Sequence, residues 1–249
     1  MVADVVTDYW SLGAEVDDLG DAVLVRRPGL PRSTFLHRLR PRGVEELDSA
    51  LDAARTIAQV PQIVLDPDAP PFVEAELVVR GWRIDTSVQL VLPPGASGPA
   101  PDGPVRPAAD ADREALRALF RADHLETDRR SGRAARSEER TDATVEERWA
   151  LGPSVHWFVA DDGEGPVGFF ASWAGGARGT GVVEDLFVHE DRRGRGYARA
   201  LIGAAVADAR VGGAGPVVIG ADPSDTPMRW YARLGFRPTV ILRSLTPPT

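Results

Sequence analysis

The chain has 249 residues, 43% hydrophobic and 27% charged, with a formal net charge of −8; this is the balance of a folded, soluble protein rather than a disordered one. Cysteine and lysine are both absent and all 29 basic residues are arginine. That excludes disulfides, thiolate metal sites, cysteine nucleophiles, Schiff-base lysines and lysine-bearing phosphate loops. The acidic balance argues against a nucleic-acid partner, no apolar run approaches the roughly 20 residues of a membrane helix, and the first residues lack the basic-then-apolar order of a signal peptide, so a cytoplasmic protein without membrane attachment is expected.

In chain order, residues 33–39 read as a strand, 44–58 as a helix, 62–65 as a strand, 72–80 as a helix and 84–92 as a strand. The stretch PPGASGPAPDGP at 93–104 cannot build a regular element and marks a boundary. Domains of 1–97 and 98–249 are expected. Past it, 110–120 has helical spacing (Leu116, Leu119, Phe120), and 141–150 reads as a second helix carrying Val145 and Trp149. The Arg/Glu-rich segment between them is expected to have little order. Strands follow at 155–160 and 167–173, joined by the turn-rich DDGEGP, and at 182–188. Ala198, Leu201, Ile202, Ala205, Val206 and Ala209 then recur at one face of a helix that Gly212-Gly213 stops. A strand at 216–221, a helix starting at Asp225-Thr226-Pro227 and ending at Gly235, and a strand at 239–245 complete the chain. This order predicts an α/β protein with a central mixed sheet and helices on its faces.

The chemistry concentrates where the strand at 182–188 runs into Arg193-Gly194-Arg195-Gly196-Tyr197-Ala198. A glycine-rich arginine loop opening a helix suits phosphate, because the first helical N–H groups are unsatisfied and the dipole is positive there. A dinucleotide fingerprint fails, since its third glycine position holds Arg199, and a Walker loop needs the missing lysine. The loop resembles the R-x-x-G-x-G/A pyrophosphate loop of GNAT-superfamily N-acetyltransferases. Val183-Glu184-Asp185-Leu186-Phe187-Val188 is similar to the family strand before it, and Trp230 to Phe236 (WYARLGF) to the closing aromatic-x-x-x-Gly-Phe motif. The resemblance covers about residues 104–249.

The resemblance implies a GNAT fold, a twisted, mostly antiparallel mixed sheet flanked by helices, and acetyl-coenzyme A as cosubstrate without a metal. Leu186, Phe187 and Val188 would offer backbone groups to the pantetheine arm. Gly194, Arg195, Gly196, Tyr197, Ala198 and Arg199 would take the pyrophosphate, with Arg193 or Arg195 adding a charged contact. Glu184 would relieve the acceptor ammonium of its proton, Asp185 being the alternative, and Tyr231 would protonate the departing thiolate. In a regular strand Glu184 shares a face with Leu186 and Val188, and Asp185 with Phe187. The family asparagine before the closing helix is missing; Asp222, Ser224 and Asp225 stand there.

The expected activity is acetyl transfer to a primary amine of a small molecule or peptide by direct attack in a ternary complex. The alternative is a non-catalytic acyl-coenzyme A sensor or scaffold, and the layout also resembles the tandem mycothiol synthases, whose acceptors are amino sugars. A monomer or homodimer is expected. His37, His124, His156 and His189 show no metal spacing, and His124 reads as a surface residue. The N-terminal piece reads as a degenerate half-copy of the same fold, packed on the other domain. Its first strand-to-helix junction, Arg40-Pro41-Arg42-Gly43, holds one glycine, and Leu77 takes the tyrosine position, so it is expected to bind no coenzyme.

Overall fold

The computed structural model describes residues 2–223 and 227–248. The chain forms two compact units, one of Met1–Leu90, Ala221–Met228 and Pro238–Thr249, the other of Val91–Gly220 and Arg229–Arg237. They part at Leu90/Val91, a few residues before the boundary at 97/98, and the chain returns twice to the first unit near its end.

The first unit comprises α1 (Val2–Trp10), β1 (Glu15–Asp18), β2 (Val23–Arg26), β3 (Phe35–His37), α2 (Val44–Ile57), β4 (Gln62–Leu65), α3 (Pro71–Val79) and β5 (Arg83–Leu92), together with the last strand of the chain. From β3 to β5 the order strand, helix, strand, helix, strand is the one expected from the sequence. Parallel neighbours need a crossover, and α2 supplies it between β3 and β4. Leu47, Ala50, Leu51 and Ala54 fall on one face of α2 and are buried in a core with Leu36, Ile63, Leu77 and Trp82. The elements α1, β1 and β2 were not expected; Val2–Trp10 buries Val5, Val6 and Tyr9, and the charged β1 is an exposed strand antiparallel to β2.

The second unit comprises β6 (Val105–Pro107), α4 (Arg113–Arg130), α5 (Glu138–Trp149), β7 (Val155–Asp161), β8 (Pro166–Trp173), β9 (Gly181–Val188), α6 (Tyr197–Val211), β10 (Val217–Ala221) and α7 (Pro227–Arg233). Its sheet runs β10-β9-β8-β7-β6, with β10 and β9 parallel and the other neighbours antiparallel. Here α6 is the crossover, burying Leu201, Ile202, Ala205, Val206 and Ala209 as its periodicity predicts. The last strand, β11 (Arg237–Thr246), lies antiparallel to β4 in the first unit and buries Leu245 in that core.

The segment after Phe120 corrects the sequence reading. It does not lose order: α4 continues to Arg130. Its charges are paired, with Asp128 accepting from the Arg136 side chain at 2.8 and 3.0 Å and from its backbone N–H at 2.8 Å. Arg117 reaches Asp142 of α5 at 2.5 Å. Ser137 caps α5, accepting from the Arg140 N–H. The helix start expected at Asp225-Thr226 lies outside the described residues.

Candidate functional site

Strand β9 is interrupted where its two acids stand. Ala171 of β8 pairs with Glu184 and Phe169 with Phe187, so β9 carries one residue more than its partner in that interval. Asp185 takes φ +64°, a left-handed conformation uncommon outside glycine but tolerated by aspartate. Paired residues of an antiparallel ladder project to the same face. Glu184 therefore lies on the face of Phe169 and Phe187, and the Phe169 ring centroid is 4.3 Å from that of Phe120 on α4. Val183 and Val188 take the opposite face with Ser172, whose hydroxyl donates to the Ala205 carbonyl of α6 at 2.9 Å. The expected alternation, Glu184 with Leu186 and Val188, fails because the bulge reverses the phase.

From α5, the Arg148 Nε donates to Asp185 Oδ2 at 2.6 Å. Glu184 is half-buried, and burial, then the charge of Asp185, push its carboxyl well above the usual range while Arg148 pulls the other way. On α4, burial and the charges of Asp185 and Glu126 push Asp123 up to about 6. His124 corrects its surface assignment: it is 7% exposed, its Nδ1 lies 2.9 Å from the Thr141 hydroxyl, and burial with nearby arginines lowers it to about 4. It is a neutral packing residue between α4 and α5.

Beyond β9 a short turn leads to Gly194 at φ +76° and Gly196 at φ +89°, both conformations that a side chain strains against. A Cβ built on either glycine meets no atom within 4 Å, so the glycines are there for the backbone path and for the open space in front of it. Gly196 is the N-cap of α6; no side chain caps that end, and its first turn holds no acid. By helix geometry the first N–H groups of α6 have no partner within the helix. A strand-to-helix junction of this kind can accept an anion.

The arginines of the loop divide. Arg193, itself exposed, is held by α4: its two terminal nitrogens donate to Glu126 of α4 at 2.7 and 2.5 Å, its Nε donates to the Val188 carbonyl at 2.9 Å, and its guanidinium lies 5.8 Å from the Phe187 ring centroid. Arg195 and Arg199 are exposed. The charge of Arg193 is thus already matched by Glu126. Nothing in the sequence signals the Glu126–Arg193 pair, which joins residues 67 apart.

Tyr231 on α7 is 5% exposed, its ring packed near Trp230 at 5.7 Å and Phe236 at 6.2 Å, and its carbonyl accepts from the Phe236 N–H at 3.1 Å. It shares a compact unit with β9 and the loop. Ser224 and Asp225 lie outside the described residues, and Asp222 is exposed. Among the described residues no group of three or more His, Asp or Glu could hold a metal ion, and no helix is long and apolar enough to cross a membrane.

Residues 153–238 match the family model of the acetyltransferase (GNAT) domain. No curated protein matches the chain. Among solved structures, a GCN5-related N-acetyltransferase from Kribbella flavida matches 100% of this chain and 95% of its own at 19% identity and a TM-score of 0.72. A conserved protein of unknown function from Staphylococcus epidermidis matches 94% of each chain at 11% identity and a TM-score of 0.70. A tandem GNAT protein of the clavulanic acid biosynthesis pathway matches 92% of this chain and 79% of its own at 16% identity and a TM-score of 0.52. At these identities the structural likenesses show the fold.

Proposed function

We propose that the chain, whose residues 153–238 match the acetyltransferase (GNAT) domain, is an acyltransferase of that superfamily that takes an acetyl group from acetyl-coenzyme A and transfers it to a primary amine of a small molecule or peptide by direct attack in a ternary complex. The observation that carries this reading is the continuous path from the bulge at Asp185 along β9 into a helix start that no side chain closes.

The residues present fit the cosubstrate. Gly194 and Gly196 leave the space a pyrophosphate needs, the N–H groups of Gly196 to Arg199 face no helical acceptor, and the exposed Arg195 and Arg199 stand at the rim. Leu186, Phe187 and Val188 supply the backbone edge for the pantetheine arm. Acetyl-coenzyme A, when bound, supplies an acetyl group activated as a thioester.

Glu184 acts as the general base. An alkylammonium with a pKa of about 10 has no lone pair at neutral pH, so a carboxylate of raised basicity, on the face of Phe187 and Phe169, removes its proton. Asp185, its charge committed to Arg148, is the poorer candidate. Tyr231 donates its phenolic proton to the departing sulfur. Arg193 takes no part in phosphate binding; tied to Glu126 and to the Val188 carbonyl, it holds the entrance of the loop on α4. The first unit is a GNAT-like half that has lost its coenzyme site.

The test is a free-thiol turnover screen with acetyl-coenzyme A against amines, amino acids, aminoglycosides and peptides. Turnover with at least one acceptor, reduced in Glu184→Gln and Tyr231→Phe at unchanged coenzyme affinity, is the expected result. Coenzyme binding without turnover on any acceptor would indicate a sensor instead.

A further inference from the structure

Two non-glycine residues among those described have positive φ, and one of them, Asp185, sits between the base proposed above and the strand edge that leads to the loop. A strand does not hold such a residue by its own ladder, since the bulge removes a regular pair there. The nearest external hold is Arg148. Its Nε meets Asp185 Oδ2 at 2.6 Å, and the two side chains are only 21% and 14% exposed. Arg148 is itself anchored: it stands one residue before Trp149, whose ring stacks on Trp157 of β7 at 6.0 Å and 20°, with the Arg113 guanidinium 5.3 Å from its centroid.

We propose that Arg148 and Asp185 are the positioning pair of this site: their ion pair clamps the β9 bulge to α5 and thereby fixes both the direction and the electrostatic surroundings of the Glu184 carboxylate. The proposal rests on the reading of Glu184 as the base. Neither residue touches the reacting atoms.

The charges acting on Glu184 come from β9 and α5, with further charged groups on α4 around Asp185. Asp185 on β9 itself makes ionisation of Glu184 harder, and Arg148 on α5 makes it easier. Asp123 on α4 interacts with the same Asp185, and Glu126 on α4 is matched by Arg193 and Arg130. The cross-strand neighbours from β8, Ala171 and Phe169, carry no charge. His124, held neutral, adds none near pH 7. Arg148 and Asp185 are therefore the two groups whose removal moves Glu184, and they move it in opposite directions. Loss of Arg148 removes a favourable charge and leaves Asp185 unpaired. Loss of the Asp185 charge removes a repulsion. A pair that merely held the fold would lower stability in both variants without this opposition.

The experiment is a carbon-13 NMR titration of the Glu184 side-chain carboxyl in the full-length protein, with no acceptor added. Its signal is assigned as the one missing from Glu184→Gln. Arg148→Gln is expected to raise the midpoint and Asp185→Asn to lower it, each by roughly half a unit or more. Asparagine is chosen because it tolerates the left-handed conformation and keeps the bulge. Once an acceptor is known, the acidic limb of kcat/KM should move with the same signs, upward for Arg148→Gln and downward for Asp185→Asn. Midpoints that stay put, or that move together, overturn the proposal. If Arg148→Gln fails to fold, Asp185→Asn decides alone, by a downward shift or by none. Failure of the base reading is separate: a Glu184→Gln enzyme of undiminished turnover would remove it while leaving these midpoints as measured.

Discussion

The two units each contain a β-α-β crossover of parallel strands, and their strand-to-helix junctions have opposite fates. At the junction of β3 and α2 no side chain caps the helix, but its first turn is acidic. Glu45 and Glu46 lie in its first turn, and the Glu46 carboxylate accepts from the Arg42 backbone N–H at 2.7 Å and from Arg42 Nε at 2.8 Å. Gly43, the N-cap, is fully extended at φ −164°, a conformation open to any residue. At the junction of β9 and α6 there is no acid in the first turn, and two glycines hold positive φ. An internal carboxylate occupies the positive end of one helix; the other is kept free. The same local physics, a positive dipole end at a helix start, is met by two acids of the chain itself in one case and by none in the other.

The largest effect that would break this contrast is expected from Gly196→Glu. It places a side chain at φ +89° and a carboxylate at the proposed pyrophosphate site. Coenzyme affinity measured by calorimetry should fall about a hundredfold or more, the combined consequence of backbone strain and like charge. Next in size is the base: Glu184→Gln should lower turnover by roughly a hundredfold near neutral pH. The deficit should narrow at high pH, where the amine is already free.

Much of this was legible in the sequence. The strand-loop-helix order, the face of α6 and the two glycines follow from spacing alone, and the structure has them where the pattern puts them. The bulge was not legible, because Val-Glu-Asp-Leu-Phe-Val reads as a regular strand and one extra residue leaves no mark on hydrophobic alternation. The burial of His124 was hidden by the charged residues around it on α4, and the engagement of Arg193 by a partner 67 residues away. The first strands were missed since Glu15–Asp18 carries three acids in four positions, a composition that strand propensity disfavours.

Smaller effects sharpen the contrast. Arg193→Ala should release the loop from Glu126 and weaken coenzyme binding by about tenfold, which corresponds to ~1.4 kcal/mol, without abolishing it. Each unit also holds one buried histidine of lowered pKa, His37 and His124, both at about 4. Folding favours their neutral forms, so their contribution to stability is complete above the unfolded value of about 6.5 and declines as pH falls toward 4. Melting curves of His37→Gln and the parent chain should therefore lie furthest apart at pH 7 and draw together by pH 5. Smallest of all, Glu46→Gln at the closed junction should lower the melting temperature by no more than roughly 2 °C and leave coenzyme affinity untouched.

The central claim, that one helix start is open to the coenzyme and the other is not, is tested most directly by calorimetric titration of the full chain with coenzyme A. One site per chain is expected, lost in Gly196→Glu and retained in Glu46→Gln. Two sites per chain, or a single site that survives Gly196→Glu in a folded protein, would contradict it.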